Sequence, residues 1–260
     1  MKKLYFLTAV STAILLASCS DSKNDDVSVE RKTMVSKVIY TSFENPSSPK
    51  TVTDIFTYDA NGNMVKMNGI NSDGYSVFEY SADKKINKII HYDKDNKTIR
   101  LTDIFTYQGE VLIKYLADYE DKTSNRLIEY TYDNNGNLKT STICEGPPCT
   151  STHKTTFSYN GGNIQSLTNQ STGGSYISTT QYTYDNKSNP FINMNKYLRI
   201  LLSGRYLMNA NNEITIRDNY SNGQISYTVN YNNEGFPTKI LGKDEKNNNW
   251  VQYEYEYIKL

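Results

Sequence analysis

The chain has 260 residues, and its 28 basic and 28 acidic residues give a formal net charge of zero. Without a basic excess to neutralise phosphates, the composition argues against nucleic-acid binding. Tyrosine, a strong strand former, occurs 23 times, whereas histidine occurs only twice. These counts favour a β-rich protein and leave few candidates for acid–base catalysis.

The N-terminal segment differs from the rest of the chain in its charge and hydrophobicity. A basic start, Met1 to Lys3, precedes an apolar run from Leu4 to Leu16. This run suits a secretory signal and is too short for a permanent membrane span. Leu16-Ala-Ser-Cys19 resembles the lipobox of bacterial lipoproteins, which implies cleavage before Cys19 and acylation of this cysteine. We predict a signal peptide at 1–18, and a lipidated Cys19 with a flexible tether at 19–33.

The tether itself suggests a location. Residues 20–26 are polar and acidic, and they resemble the export signal that follows the lipidated cysteine in Bacteroidetes surface lipoproteins. Several acyl chains together hold a protein firmly in a membrane. The predicted partner is therefore a membrane, bound through the lipid, and the predicted location is the outer membrane with the protein exposed at the cell surface. A periplasm-facing anchor is the alternative.

Residues 34–260 repeat one unit, whose clearest copy is 128–139. An alternating aromatic strand runs into an Asx/Gly turn and a second strand, the pattern of a β-hairpin. An aromatic residue or valine lies two positions before each repeat tyrosine, so each such pair shares one face of its strand. The residues between them are mostly Thr, Ser, Glu or Asn, which predicts one apolar and one hydrated face. The first strands of the copies end at Tyr58, Tyr80, Tyr107, Tyr132, Tyr159, Tyr184, Tyr231 and Tyr255.

Five of the second strands open with apolar residues three positions apart, as in Met64-Val-Lys-Met67. This spacing breaks strict alternation and predicts a β-bulge or a residue folded back over the hairpin. The turns at 59–63 and 133–137 combine Asx residues with a glycine that tolerates positive φ. A calcium loop is the rival interpretation, but the glycine and glutamate of the helix-loop-helix calcium site are not at the required positions.

Eight or nine hairpins amount to about 16–18 strands, more than an open twisted sheet usually holds. We predict an all-β fold, a large antiparallel meander rolled into a barrel-like or spiral sheet, with a propeller as the alternative. The segment 189–202 instead has apolar residues at helical spacing. We expect one short helix near 190–202 that plugs the sheet; a membrane-surface or partner helix is the alternative. We read 206–216 as a further hairpin.

Cys144 and Cys149 are five residues apart, with two prolines between them. In an exported protein such a pair predicts a disulfide across a hairpin loop. A zinc site needs more ligands than His153, the one candidate nearby. No metal or other cofactor is predicted.

The Phe/Tyr-x-Tyr-Asp-x-x-Gly-Asn-Leu core, present at 56–64 and 130–138, resembles the YD repeats of Rhs-type and teneurin-like shells. In those proteins serial hairpins build a spiralling sheet. Together with the lipobox and Asn189-Pro-Phe191, the chain is similar to a group of uncharacterised Bacteroidetes lipoproteins built from degenerate YD-like repeats. The chain is too short to enclose cargo, so the encapsulating role of the shells is not implied.

The function predicted from these features is that of a non-catalytic binding module for a glycan or a protein ligand. Aromatic side chains outside the core pairs could provide flat platforms for such a ligand. They are Trp250, Tyr75, Tyr92, Tyr119, Tyr176 and Tyr220. A structural or assembly component of the outer envelope is the alternative. A hydrolase ranks third, because His91 and His153 lie in no nucleophile motif and Asp93 and Asp95 occupy a turn.

Overall fold

The computed structural model describes residues 31–260, except 71–73, 96, 147–148, 150, 172–176, 204–207 and 220–222. The predicted signal peptide, Cys19 and most of the tether therefore lie outside the described residues. So do Tyr176 and Tyr220, two of the predicted platform residues.

Sixteen strands run through the described residues. They are β1 (Thr33–Ser42), β2 (Lys50–Tyr58), β3 (Met64–Ile70), β4 (Tyr75–Tyr80), β5 (Ile86–Tyr92), β6 (Ile99–Gln108), β7 (Val111–Tyr119), β8 (Arg126–Tyr132), β9 (Leu138–Glu145), β10 (Thr152–Asn160), β11 (Asn163–Ser171), β12 (Ile177–Ser188), β13 (Asn211–Asp218), β14 (Gln224–Tyr231), β15 (Pro237–Lys243) and β16 (Asn249–Lys259). The helix α1 (Lys196–Ser203) lies between β12 and β13, and a 3-10 turn (Lys122–Ser124) precedes β8.

The strands form one closed antiparallel barrel. Each strand pairs with its neighbours in the chain, and β1 pairs with β16 to complete the ring. Closure removes the exposed edges at which sheets aggregate. The predicted meander of serial hairpins is confirmed, with the sheet closed as a barrel, and the propeller alternative is wrong.

Alternation along the strands separates an apolar core from a mostly polar exterior. Phe56, Phe78 and Phe105 are each at most 8% exposed and point inward. Their neighbours Thr57, Glu79 and Thr106 are exposed on the outer wall. Burying each aromatic side chain contributes about 1.5–3 kcal/mol. The inward ring pairs therefore hold the barrel around its own core, as their period-two spacing predicts.

The predicted bulge lies just after the turn in six hairpins. In the first, Thr57 pairs with Lys66 and Tyr58 pairs with Met64, so Val65 is the extra residue. The same shift occurs in the hairpins β4–β5, β6–β7, β8–β9, β10–β11 and β14–β15. Because the bulge adds one residue, Met64 and Met67 both reach the interior despite their spacing of three.

The turns are stabilised by their own Asx residues. The Asp133 carboxylate accepts hydrogen bonds from the backbone N–H groups of Asn135 and Asn137 and from the Asn137 side chain. Gly136 has φ of 78°, which favours glycine at this position. The Asn137 side-chain hydrogen bond is the main cause that lowers the Asp133 pKa. Both carboxylate oxygens thus serve the turn, which supports a plain turn over a calcium loop.

The repeat tyrosines join successive hairpins. The Tyr132 hydroxyl donates to the backbone carbonyl of Leu112, the residue that follows the preceding turn, at 2.6 Å. Equivalent bonds run from Tyr80 to Met64 and from Tyr184 to Ile164. Desolvation by burial is the first cause that raises the Tyr132 pKa. These tyrosines therefore link hairpins through side chains as well as through the strand ladder.

The segment 189–203, called the plug below, closes one end of the barrel. The Phe191 ring meets the Phe56 and Tyr255 rings edge-on, with centroids 6.3 and 6.2 Å away. The Tyr197 hydroxyl donates to the Glu110 carbonyl at 2.7 Å. The prediction of a short packed helix is confirmed, although α1 starts at Lys196 because residues 190–194 form turns.

The prediction of a hairpin at 206–216 was wrong. β13 begins at Asn211, and the preceding described residues join the plug to the barrel. Asn209 is fully buried, and its side chain accepts a hydrogen bond from the Ile164 backbone N–H. The asparagines therefore bind the plug to the wall instead of forming a solvated turn.

Candidate functional site

The two ends of the barrel differ. The turn end carries the repeat turns and the plug, and it is also where Lys32 and Leu260 exchange backbone hydrogen bonds. The opposite end, called the loop end, carries the connections β1–β2, β3–β4, β5–β6, β7–β8, β9–β10, β11–β12, β13–β14 and β15–β16. Along β2, Phe56 is buried near the plug, whereas Val52 and Asp54 nearer the loop end are partly exposed. Side chains of β2 that face the space enclosed by the wall, called the lumen, are therefore more exposed towards the loop end than beside the plug.

A cleft at the loop end contains one of the predicted platform residues. Its volume is about 490 Å³, and it is lined by residues that include Ile216, Ile225, Glu245, Lys246 and Trp250. We call it the rim cleft. Trp250 is 44% exposed. Sites for small ligands are typically concave, with apolar walls and a few polar groups. The rim cleft has this arrangement.

The charged side chains that line the rim cleft differ in how they are used within the protein. The Asp244 carboxylate accepts from the backbone N–H groups of Lys246 and Asn248 and from the Asn248 side chain. The Asn248 side-chain hydrogen bond is the main cause that lowers the Asp244 pKa. Asp244 therefore orders the β15–β16 loop, while Glu245 and Lys246 line the cleft from that loop.

The lumen wall carries polar groups between the plug and the loop end. Desolvation raises the Asp54 pKa above its usual range. Thr180 donates to the Asp218 carboxylate at 3.0 Å. Ser76 and His91 lie within hydrogen-bond distance of each other, and His91 also contacts Asp103. The part of the lumen wall between the plug and the loop end therefore carries both polar and apolar side chains, in contrast to the aromatic core around the plug.

The other predicted platform residues do not join Trp250 in one surface. Tyr75 and Tyr92 pair across β4 and β5 on the outer wall, where their rings stack at 4.7 Å with an angle of 9°. Lys66 Nζ lies 4.4 Å from the Tyr75 ring centre. Tyr119 pairs with Leu101 near the loop end of β6 and β7. The aromatic residues therefore occupy separate places.

The carboxylates considered for hydrolysis serve the β5–β6 loop. Asp95 accepts from the backbone N–H groups of Lys97 and Thr98 and from the Thr98 hydroxyl, whose hydrogen bond is the main cause that lowers the Asp95 pKa. Asp93 Oδ1 lies 3.7 Å from Arg100 Nε. Both carboxylates therefore stabilise the loop and its start on β6, and they do not form a pair arranged for hydrolysis.

Sequence reasoning missed the Ser76, His91 and Asp103 cluster. Its members lie on three strands, 15 and 12 residues apart, and form no local motif. Alternation offered a partial signal, because Ser76 lies two residues before inward Phe78 and Asp103 two before inward Phe105. The pairing register that brings them together is not encoded in this alternation.

Cys144 and Cys149 lie on the outer side of the β9–β10 connection. Their Cα atoms are 5.5 Å apart and their sulfur atoms are bonded at 2.01 Å. Among the described residues, no three His, Cys, Asp or Glu side chains gather as a metal site would require. No helix in the described part of the chain has the length and hydrophobicity of a membrane span.

Comparisons with known proteins bear on the fold alone. No family model matches the chain, and no curated protein is significantly similar to it. A porin-like protein from Bacteroides uniformis ATCC 8492 has a TM-score of 0.59 at 12% identity, covering 86% of this chain and 98% of that one. The chain therefore shares the barrel fold of that protein.

Two further solved structures are more distant. A porin-like protein from Bacteroides vulgatus ATCC 8482 has a TM-score of 0.47 at 12% identity, covering 87% of this chain and 99% of that one. TcdB2-TccC3-TEV has a TM-score of 0.32 at 16% identity, covering 77% of this chain and 10% of that one. Likeness at this level carries no argument about the present chain.

Proposed function

We propose that the protein is an envelope lipoprotein that binds a glycan at the loop end of its barrel. The observation that carries the proposal is the asymmetry of the barrel: the plug closes one end, and the rim cleft with Trp250 lies at the other. Indole rings stack against the apolar faces of sugars, and nearby polar side chains can bind hydroxyl groups. A protein ligand that inserts an apolar side chain into the same cleft is the variant of this proposal.

The lipid, and not the barrel wall, would hold the protein at the membrane. A barrel that crosses a bilayer presents an apolar band outward. Here the outward positions of β10–β12, except the exposed Ile177, are hydroxyl, amide or charged, for example Lys154, Ser158, Thr168 and Gln181. This polar wall supports anchoring through acylated Cys19, which metabolic labelling with a fatty acid would test by comparison with Cys19→Ser.

The direction of the chain supports an outward-facing cleft. β1 begins at Thr33 at the turn end, where Asn193 donates to the Thr33 carbonyl. A tether that enters there would leave the loop end directed away from the membrane. An epitope inserted at 45–48, in the β1–β2 loop, should therefore bind antibody on intact cells. Binding only after permeabilisation would contradict surface exposure.

A glycan array on the purified protein tests the binding proposal. We expect a saturable hit, and Trp250→Ala should weaken it roughly 2- to 12-fold because stacking on an aromatic ring contributes about 0.5–1.5 kcal/mol. Tyr75→Ala on the outer wall is the matched control and should bind normally. A blank array would refute glycan binding, and a hit unaffected by Trp250→Ala would refute the cleft as its location.

An assembly role is the second candidate, and the outer wall supplies its observation. Apolar residues lie next to each other at outward positions of neighbouring strands. Val77 on β4 pairs with Ile90 on β5. Leu116 on β7 pairs with Ile104 on β6 and with Leu127 on β8. Ile104 is 41% exposed. A photo-crosslinking residue at 104 should capture a defined envelope partner if this role is correct, whereas the same residue at Gln181 should not.

We also propose that the Cys144–Cys149 disulfide forms in the exported protein. Thiol titration of unfolded, unreduced protein should detect neither cysteine, and both should appear after reduction. A loop this short gives only about 2 kcal/mol in the chain-entropy description, so reduction should leave the barrel folded.

A further inference from the structure

Three adjacent strands place a serine, a histidine and an aspartate in a continuous hydrogen-bonded row on the lumen wall. Ser76 on β4 lies directly opposite His91 on β5, and Ser76 Oγ is 2.8 Å from His91 Nδ1. Asp103 on β6 reaches the other side of the ring, with Oδ2 3.0 Å from Nε2. All three occupy the inward register of their strands.

The partners fix the roles of the two ring nitrogens. A carboxylate can only accept, so Nε2 carries the hydrogen that is donated to Asp103. In the neutral ring this leaves the Nδ1 lone pair directed at the Ser76 hydroxyl, which donates to it. A hydroxyl bonded to a base that a third group orients is the arrangement of an activated nucleophile.

The surroundings shelter the row from solvent, and its neighbour on β7 is small. Ser76 is 4% exposed, and the His91 and Asp103 side chains are 18% and 14% exposed. On the flanking strands, Ala117 pairs with Asp103 and Gly69 lies at the next inward position beyond Met67. Met67 lies directly opposite Ser76 on β3, and Ala117, the residue opposite Asp103, is itself only 4% exposed.

We propose that Ser76 is a nucleophile toward carboxylic esters, with His91 as its general base and Asp103 as a positioning residue. This activity goes beyond the binding function and does not depend on the rim cleft. Ser76 Oγ would bond to the ester carbonyl carbon while its proton moves to His91 Nδ1. The bond to the alkoxy oxygen would then break, and the alcohol would leave with that proton.

Water completes the cycle without an oxidant or a cofactor. His91 Nδ1 takes a proton from the water that attacks the acyl-serine, and the carboxylic acid leaves as the proton returns to Ser76 Oγ. Ser76 pairs with Met67 on one side and His91 on the other, so its backbone lies within the sheet. Oxyanion donors typically contribute about 10²–10³ in kcat, and strand amides do not point into the lumen. Turnover should therefore be slow.

The chain contains a matched control for this chemistry. On β10 and β11, His153 Nδ1 lies 2.8 Å from Ser171 Oγ, the same distance as in the proposed site. His153 is exposed, and no carboxylate contact to its ring is found among the described residues. If a serine–histidine contact were sufficient, Ser171 would react as readily as Ser76.

A stoichiometric fluorophosphonate probe is the appropriate test, because it reports the nucleophile even where turnover is slow. The full chain, purified in mild detergent, should be labelled once, with the adduct on Ser76 by peptide mass spectrometry. Ser76→Ala should abolish labelling, and His91→Ala should slow it roughly 10²–10⁴-fold, the usual contribution of a general base. Ser171→Ala should be labelled at the normal rate.

Asp103→Asn separates a positioning role from a structural one. The amide retains the size of the side chain, so circular dichroism should be unchanged while labelling slows at least about tenfold and depends differently on pH. This variant also decides the question if Ser76→Ala does not fold. Unlabelled wild-type protein, an adduct on Ser171, or equal labelling of Ser76→Ala would each overturn the proposal. None of these outcomes depends on the glycan array.

Discussion

Tyr132 shows how one residue of the repeat acts on two hairpins. Its ring packs against the core, and its hydroxyl reaches back to the carbonyl of Leu112. Tyr132→Phe retains the ring but leaves this carbonyl without its donor. We expect the free energy of unfolding to fall by about 1–3 kcal/mol in urea denaturation. Tyr92→Phe, on the outer wall, should change it by less than about 0.5 kcal/mol.

The buried tyrosines also predict alkaline sensitivity. Desolvation is the largest cause that raises the pKa of both Tyr107 and Tyr115, each to about 12. Below pH 10 both folded and unfolded chains keep these phenols neutral, so their contribution to stability is complete. Above pH 10 the unfolded chain ionises first, and stability falls as the pH rises towards 12. Phenolate absorbance should therefore rise together with loss of circular dichroism; independent titration near pH 10 in a folded barrel would contradict this.

At the scale of elements, the plug supplies core that the wall alone lacks. Phe191 is 6% exposed and contacts rings from β2 and β16. Phe191→Ala should lower the free energy of unfolding by about 3–5 kcal/mol, because it removes buried area and leaves a cavity. Lys196→Ala, at the exposed start of α1, is the matched control. Equal denaturation midpoints for the two variants would show that the plug is not part of the core.

The hairpins could be predicted from local sequence patterns, and the structure contains them. Alternation at Tyr130 and Tyr132 gave the inward face, and the spacing of Met64 and Met67 gave the bulge. The plug was predictable as a helix but not in its first turns, since Asn189 is fully buried and its backbone N–H donates to the distant Ala210 carbonyl. The row of Ser76, His91 and Asp103 depends on how three strands are aligned with one another, and the periodicity of a single strand does not determine that alignment.

At the scale of the whole molecule, the polarity of the two wall faces decides how the barrel relates to lipid. The inner face carries the aromatic core, and outward positions such as Lys37, Glu129 and Glu256 carry charge. Moving such side chains into a bilayer midplane costs up to about 2–4 kcal/mol each for lysine or arginine. The barrel fold shared with a porin-like protein does not by itself place this wall in a membrane.

This polarity predicts that residues 20–260, which lack Cys19, remain dispersed in buffer without detergent. Size-exclusion chromatography should give a single folded species, and adding liposomes should leave it in the aqueous fraction. The full chain is the control and, if Cys19 is acylated as proposed, should partition into liposomes through its acyl chains. If residues 20–260 require detergent or insert into the liposomes, the outer wall interacts with lipid after all, and anchoring by acylated Cys19 alone would be wrong.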